Sequence, residues 1–167
     1  MMPTELWQRA LRETRSILIG CAIRHRPIFY KVLCDQLNFI MRHDFVGHGV
    51  PRFVEYERTF HLMLGALATQ EAEAGRPPLT SFVIYDLKRQ TDTPYRQTDI
   101  GGNFYAICIE LGLLQPKDDR LAFLINSMNA ARDYWTGVRV ALVARRAEVL
   151  LEGPDGIDVD SHCTEAR

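Results

Sequence analysis

No CxxC pair occurs among the four cysteines, Cys21, Cys34, Cys108 and Cys163. Three of them lie inside apolar runs, which reads as reduced core thiols rather than a disulfide framework. A chain of 167 residues buries enough surface to do without one. No uninterrupted apolar run is long enough to span a bilayer, so a membrane role is not expected. The first 15 residues are charged throughout, without the basic-then-apolar order of a secretory signal, and a cytoplasmic location is the expectation. No internal repeat occurs, and no recognisable catalytic motif.

Charge is unevenly placed. The net charge is −1, but residues 1–146 sum to +4 and residues 147–167 to −5. A mildly basic body can meet phosphates, and the acidic stretch can compete for the same surface. The spacing predicts one domain over residues 1–152 and an acidic, disordered tail over 153–167, opened by Gly153-Pro154-Asp155-Gly156.

Apolar spacing predicts a helix over 4–24, with Leu6, Trp7, Ala10, Leu11, Ile17, Leu18, Cys21 and Ala22 as its apolar positions. A second is expected from Ile28 to Met41, then a loop over His43–Pro51. A third runs from about Val54 to Ala74, with Phe53, Tyr56, Phe60, Met63, Leu64 and Leu67 on one side. Gly75 sits at its C′ position, and Pro77-Pro78 prevents continuation. Residues 79–85, Leu-Thr-Ser-Phe-Val-Ile-Tyr, read as a strand. A polar, exposed loop is expected over Asp86–Gly102. Phe104–Leu114 reads as a short strand turning into a helix that ends at Gly112. Asp118 or Asp119 caps a last helix with Leu121, Leu124, Ile125, Met128, Ala131 and Trp135 apolar, and Gly137 as a possible kink. It continues through a basic patch, Arg139, Arg145 and Arg146. Helix, strand, wing-like loop and return make an α+β, mainly helical chain, winged-helix-like, with a two- or three-stranded sheet.

Lys88, Arg89 and Arg96 share the wing loop with Tyr95, directly after Tyr85. Cations beside aromatic rings suit contacts to a nucleic-acid backbone and its bases. The leading expectation is a non-enzymatic module that binds nucleic acid through this loop, without a cofactor. One alternative is a metal-dependent hydrolase or nuclease. His43, Asp44 and His48 fall within six residues and are the candidate metal ligands, although the spacing matches no standard site. Asp86-Leu87-Lys88 after a strand is half of a metal-dependent nuclease pattern. Glu57 and His61, one helical turn apart, could form a base and its orienting carboxylate. Another alternative is a protein-interaction or oligomerising subunit that buries the Trp135 helix against a partner.

Ile28-Phe29-Tyr30-Lys31-Val32-Leu33, the helix over 54–74, Pro78-Leu79-Thr80-Ser81-Phe82-Val83 and Gly101-Gly102-Asn103-Phe104 follow one another in an order that resembles the DNA-binding half of alkylguanine-DNA alkyltransferase-like proteins. The resemblance covers about half the chain and implies a winged-helix DNA-binding fold. It does not extend to alkyl transfer, because Leu79 follows Pro78 where the family carries Pro-Cys-His-Arg. His61, Leu64-Gly65, Glu71, Gly75-Arg76-Pro77, Leu79, Ser81 and Val83 are also similar to a loose pattern in small uncharacterised bacterial proteins.

Overall fold

The computed structural model describes residues 4–47, 57–85 and 102–151. Among them the chain is mainly helical with a small two-stranded parallel sheet. The order is α1 (Thr4–Ile23), β1 (Ile28–Phe29), α2 (Tyr30–Ile40), α3 (Arg42–Gly47), α4 (Glu57–Glu73), a 3₁₀ turn (Leu79–Phe82), β2 (Val83–Ile84), α5 (Gly102–Glu110) and α6 (Arg120–Leu151). Two compact units divide the chain, Met1–Thr136 and Gly137–Arg167.

Three helix ends in the first unit are built the same way. At the end of α4, the Gly75 N–H donates to the Ala72 carbonyl at 2.9 Å and the Arg76 N–H to the Glu71 carbonyl at 2.8 Å. This is a Schellman motif, and Gly75 takes the left-handed conformation it requires, with φ +64°. Gly112 closes α5 in the same manner at φ +70°, with Leu113 donating to the Cys108 carbonyl. At α1 the left-handed position falls to His25, at φ 49°, with Arg26 donating to the Cys21 carbonyl. A side chain here carries a steric cost that glycine would avoid. The His25 ring meets Phe82 edge-on at 6.0 Å between centroids, and that contact offsets some of the cost.

The start of α6 is equally local. Asp119 Oδ1 accepts the N–H groups of Leu121 at 2.9 Å and Ala122 at 3.1 Å, so Asp119 is the N-cap. Leu124, Met128, Ala131 and Trp135 follow at alternating steps of four, three and four, and all are buried. Trp135 is 7% exposed. α6 continues through Gly137 into the second unit, where Val140, Leu142 and Val143 are exposed.

Four expected elements differ. The helix expected over 28–41 begins at Tyr30, because Ile28 and Phe29 pair instead with Val83 and Ile84. Residues 79–85 are not one strand: Leu79–Phe82 form a 3₁₀ turn and only Val83–Ile84 are extended. Pro78 starts that turn, and its carbonyl accepts both the Ser81 N–H at 3.3 Å and the Ser81 hydroxyl at 2.8 Å. Phe104–Leu114 contains no strand, since α5 already spans Gly102–Glu110. The expected loop over His43–Pro51 holds a short helix, α3, up to Gly47. The tail over 153–167 lies outside the described residues.

The turn over 79–82 packs on α1 and α4 and forms the centre of the core. Leu79, Phe82, Phe60, Met63, Leu67, Leu18, Leu33 and Leu37 are fully buried around it. Leu64, expected inside with Leu67, is only half-buried.

Cys21, Cys34 and Cys108 are buried, and none forms a disulfide. Burial pushes the Cys108 thiol from its ordinary value of 9.0 up to about 12. A raised folded-state value means that the thiol contributes its full share below pH 9 and loses it as pH rises toward 12. Between pH 9 and 10, wild-type protein should lose about 1 kcal/mol more stability than Cys108→Ala. Urea unfolding at the two pH values measures this. Parallel losses in the two proteins would contradict it.

Candidate binding cleft

A cavity of about 40 Å³ lies where α4, β2 and α5 meet. Its walls are mostly apolar: Leu64, Ala68, Val83, Phe104 and Ile107. Four polar side chains join them, His61, Thr80, Tyr85 and Asn103. Few polar groups on apolar walls is the usual make-up of a ligand pocket. A wider groove of about 600 Å³ between α4 and α5 shares His61, Asn103 and Ile107 with the cavity. Gly65 lets the two helices approach: a Cβ there would stand 3.2 Å from Ile107 Cδ1.

The polar groups are not equivalent. Tyr85 Oη is hydrogen-bonded to His61 Nδ1 at 2.9 Å. Tyr30 stacks on both rings, 4.8 Å from Tyr85 and 5.2 Å from His61 between centroids. Phe60 meets Tyr30 edge-on at 4.8 Å. The stack fixes the His61 and Tyr85 rings from α2 and α4, so this rim is preorganised. Thr80 is buried, at 6% exposure, and its Oγ1 has no hydrogen-bond partner among the described residues. A buried hydroxyl left unmatched costs about 1–3 kcal/mol.

A separate ionic cluster is structural. Glu71 is fully buried and receives Arg15 Nε at 2.7 Å and Arg76 Nε at 2.8 Å. The Arg15 guanidinium also lies over the Trp135 ring at 4.9 Å. Its arginines are matched by carboxylate and indole.

Of the residues singled out in the sequence, Lys88, Arg89, Tyr95 and Arg96 lie outside the described residues, as do Asp86 and His48. His43 is exposed on α3, and Asp44 Oδ1 is taken by the Arg9 guanidinium at 2.5 Å. No group of three or more His, Cys, Asp or Glu could hold a metal among the described residues. His61 belongs to the cleft, but its ring partners are Tyr85 and Tyr30. Sequence reasoning did not assign Tyr30 or Thr80 to a site. The available signal was two hydroxyl residues, Thr80 and Ser81, inside an otherwise apolar run. Ser81 satisfies itself on the Pro78 carbonyl, and Thr80 does not. No protein-family model, curated protein or solved structure matches the chain.

Proposed function

We propose that the chain is a non-enzymatic nucleic-acid-binding module, in which the basic segment around Lys88, Arg89, Tyr95 and Arg96 acts as the wing of a winged-helix-like arrangement. One observation carries the reading. Tyr85 and Asn103, which flank segment 86–101 in sequence, line the same cavity. Cations carried between those two positions are tethered to a cleft whose rim is a stack of rings. Phosphate contacts would supply affinity and the cleft would supply discrimination.

The test is a salt titration of fluorescent oligonucleotide by anisotropy. Wild-type affinity should fall with a log–log slope of about 0.9 per phosphate neutralised. Replacing Lys88, Arg89 and Arg96 with Ala should weaken binding to all sequences and flatten that slope. Removing residues 153–167 should strengthen binding, because tethered carboxylates compete at high effective concentration. Absence of binding at low salt by wild type, triple variant and truncated protein alike would overturn the proposal.

A further inference from the structure

We infer that the distal part of α6 docks into the α4–α5 groove of a second copy of this chain, each copy giving its helix and receiving its partner's. Two exposed surfaces carry the inference. The first is convex. From residue 137 to residue 145 every position is exposed except the half-buried Val138. Val140 is 63% exposed, and Leu142 and Val143 are each 64% exposed. Arg139 is the only charged residue between positions 137 and 144. A helix that is apolar around most of its girth is one that other protein encloses. A lipid surface would instead take a helix with one apolar and one strongly polar face. No helix is long and apolar enough to cross a membrane among the described residues.

The second surface is concave. The open groove of about 600 Å³ is lined by Gly65 and Ala66 from α4 and Ala106 from α5, side chains small enough for a helix to approach closely. Leu62 lines it too and is 63% exposed. The two surfaces match in spacing and in charge. Val140, Val143 and Ala144 stand at i, i+3 and i+4, and Ala147 continues the sequence to i+7, the anchor spacing of a helix laid in an apolar groove. Glu110 lines the groove, whereas Arg139 and Arg145 are exposed on the helix, so opposite charges meet on docking. The chain carries both halves of the match in equal number. Exchange between two copies therefore covers both surfaces of each and closes the assembly at a dimer. The distal segment, 137–151, is about 22 Å long and about 10 Å across, and half its girth presents about 350 Å². With the groove wall counted, two reciprocal contacts bury about 1,400 Å², within the range of about 1,200–2,000 Å² for stable interfaces.

Sedimentation velocity of the full chain, from micromolar to millimolar and without nucleic acid, tests the pairing. Wild-type protein should move from monomer to dimer as concentration rises. Val140→Glu with Val143→Glu alters the helix, and Leu62→Glu alters the groove. All three positions are exposed, so circular dichroism and melting of the monomers should match wild type. Each variant alone should weaken dimerisation about tenfold or more, because docking would bury an unpaired carboxylate. A mixture of the two should pair better than either alone, through the one contact that both substitutions spare. Glu110→Arg leaves the apolar wall intact and should also weaken pairing, which provides a second reading should a glutamate variant misfold. A wild-type monomer at every concentration overturns the inference. Dimerisation of Leu62→Glu and Glu110→Arg as tight as that of wild type also overturns it, since the helices would then pair with each other and not with the groove.

Discussion

Glu71→Ala should lower the stability of the fold by about 3 kcal/mol, within the range for breaking a buried ion pair. Glu71 is fully buried, and its two carboxylate oxygens hold Arg15 and Arg76 from opposite sides of the sequence. Hydrogen bonding to Glu71 raises the Arg76 pKa still further, the sign of a guanidinium held in its charged form. Removing the carboxylate leaves two cations facing each other across a small void. Both arginines retain some solvent contact, 30% and 25% of their side-chain surface, which keeps the cost below that of a fully buried orphan charge. The Schellman bond from the Arg76 N–H to the Glu71 carbonyl is a backbone contact and survives the substitution. Arg76→Met alone should therefore cost less than Glu71→Ala. Arg15→Met should be intermediate, since it also gives up the stacking on Trp135. Urea midpoints of the three variants give the order. A Glu71→Ala protein within 1 kcal/mol of wild type, on a scale where buried pairs are worth about 3–5, would show that the cluster is a solvated surface pair.

The elements that sequence revealed are those whose determinants are local. Gly75 with Pro77-Pro78, Gly112 and Asp119 each mark a helix end through bonds to residues within five positions. The core positions of α1, α4 and α6 follow from helical spacing, and most of those named are buried. Elements fixed by distant partners were not legible. Ile28 and Phe29 continue the apolar stripe of α2 in sequence, yet pairing with residues 83 and 84 takes them out of the helix. Their partners lie 55 positions away, so no spacing rule reaches them. Phe104–Leu114 is apolar on most sides, which erases the difference between strand and helix periods. Leu64 shares the stripe of Phe60 and Leu67 but faces the cavity, a void that no one-dimensional pattern records.

The candidate cleft was legible only in fragments. His61 stood out as an imidazole with Glu57 one turn before it. The fold brings it Tyr85 and Tyr30, from β2's end and the start of α2. Tyr85 stood out as the last residue before the basic segment, and it lines the cavity. Thr80 gave only a faint signal, because a threonine in an apolar run is ordinary.

Phe82→Ala should be the most damaging substitution in the described core, at about 3–5 kcal/mol. Phe82 is fully buried in the turn that joins α4 to the sheet, and that turn packs against both α1 and α4. Its ring also braces His25, which holds the left-handed end of α1 at a conformational cost. Truncation thus opens a ring-sized void and withdraws support from a strained position. The surroundings cannot close the gap easily, because the turn is anchored by Ser81 on the Pro78 carbonyl and by β2 pairing with β1. Leu64→Ala supplies the contrast. Leu64 is half-buried at a cavity wall, so its loss enlarges an existing opening and should cost about 1–2 kcal/mol, the lower end for a large-to-small change. Denaturant midpoints for both variants decide the matter. The proposed packing centre would be wrong if Phe82→Ala cost no more than Leu64→Ala. A His25→Gly change made on top of Phe82→Ala should recover part of the loss, because glycine relieves the left-handed strain once the ring contact is gone.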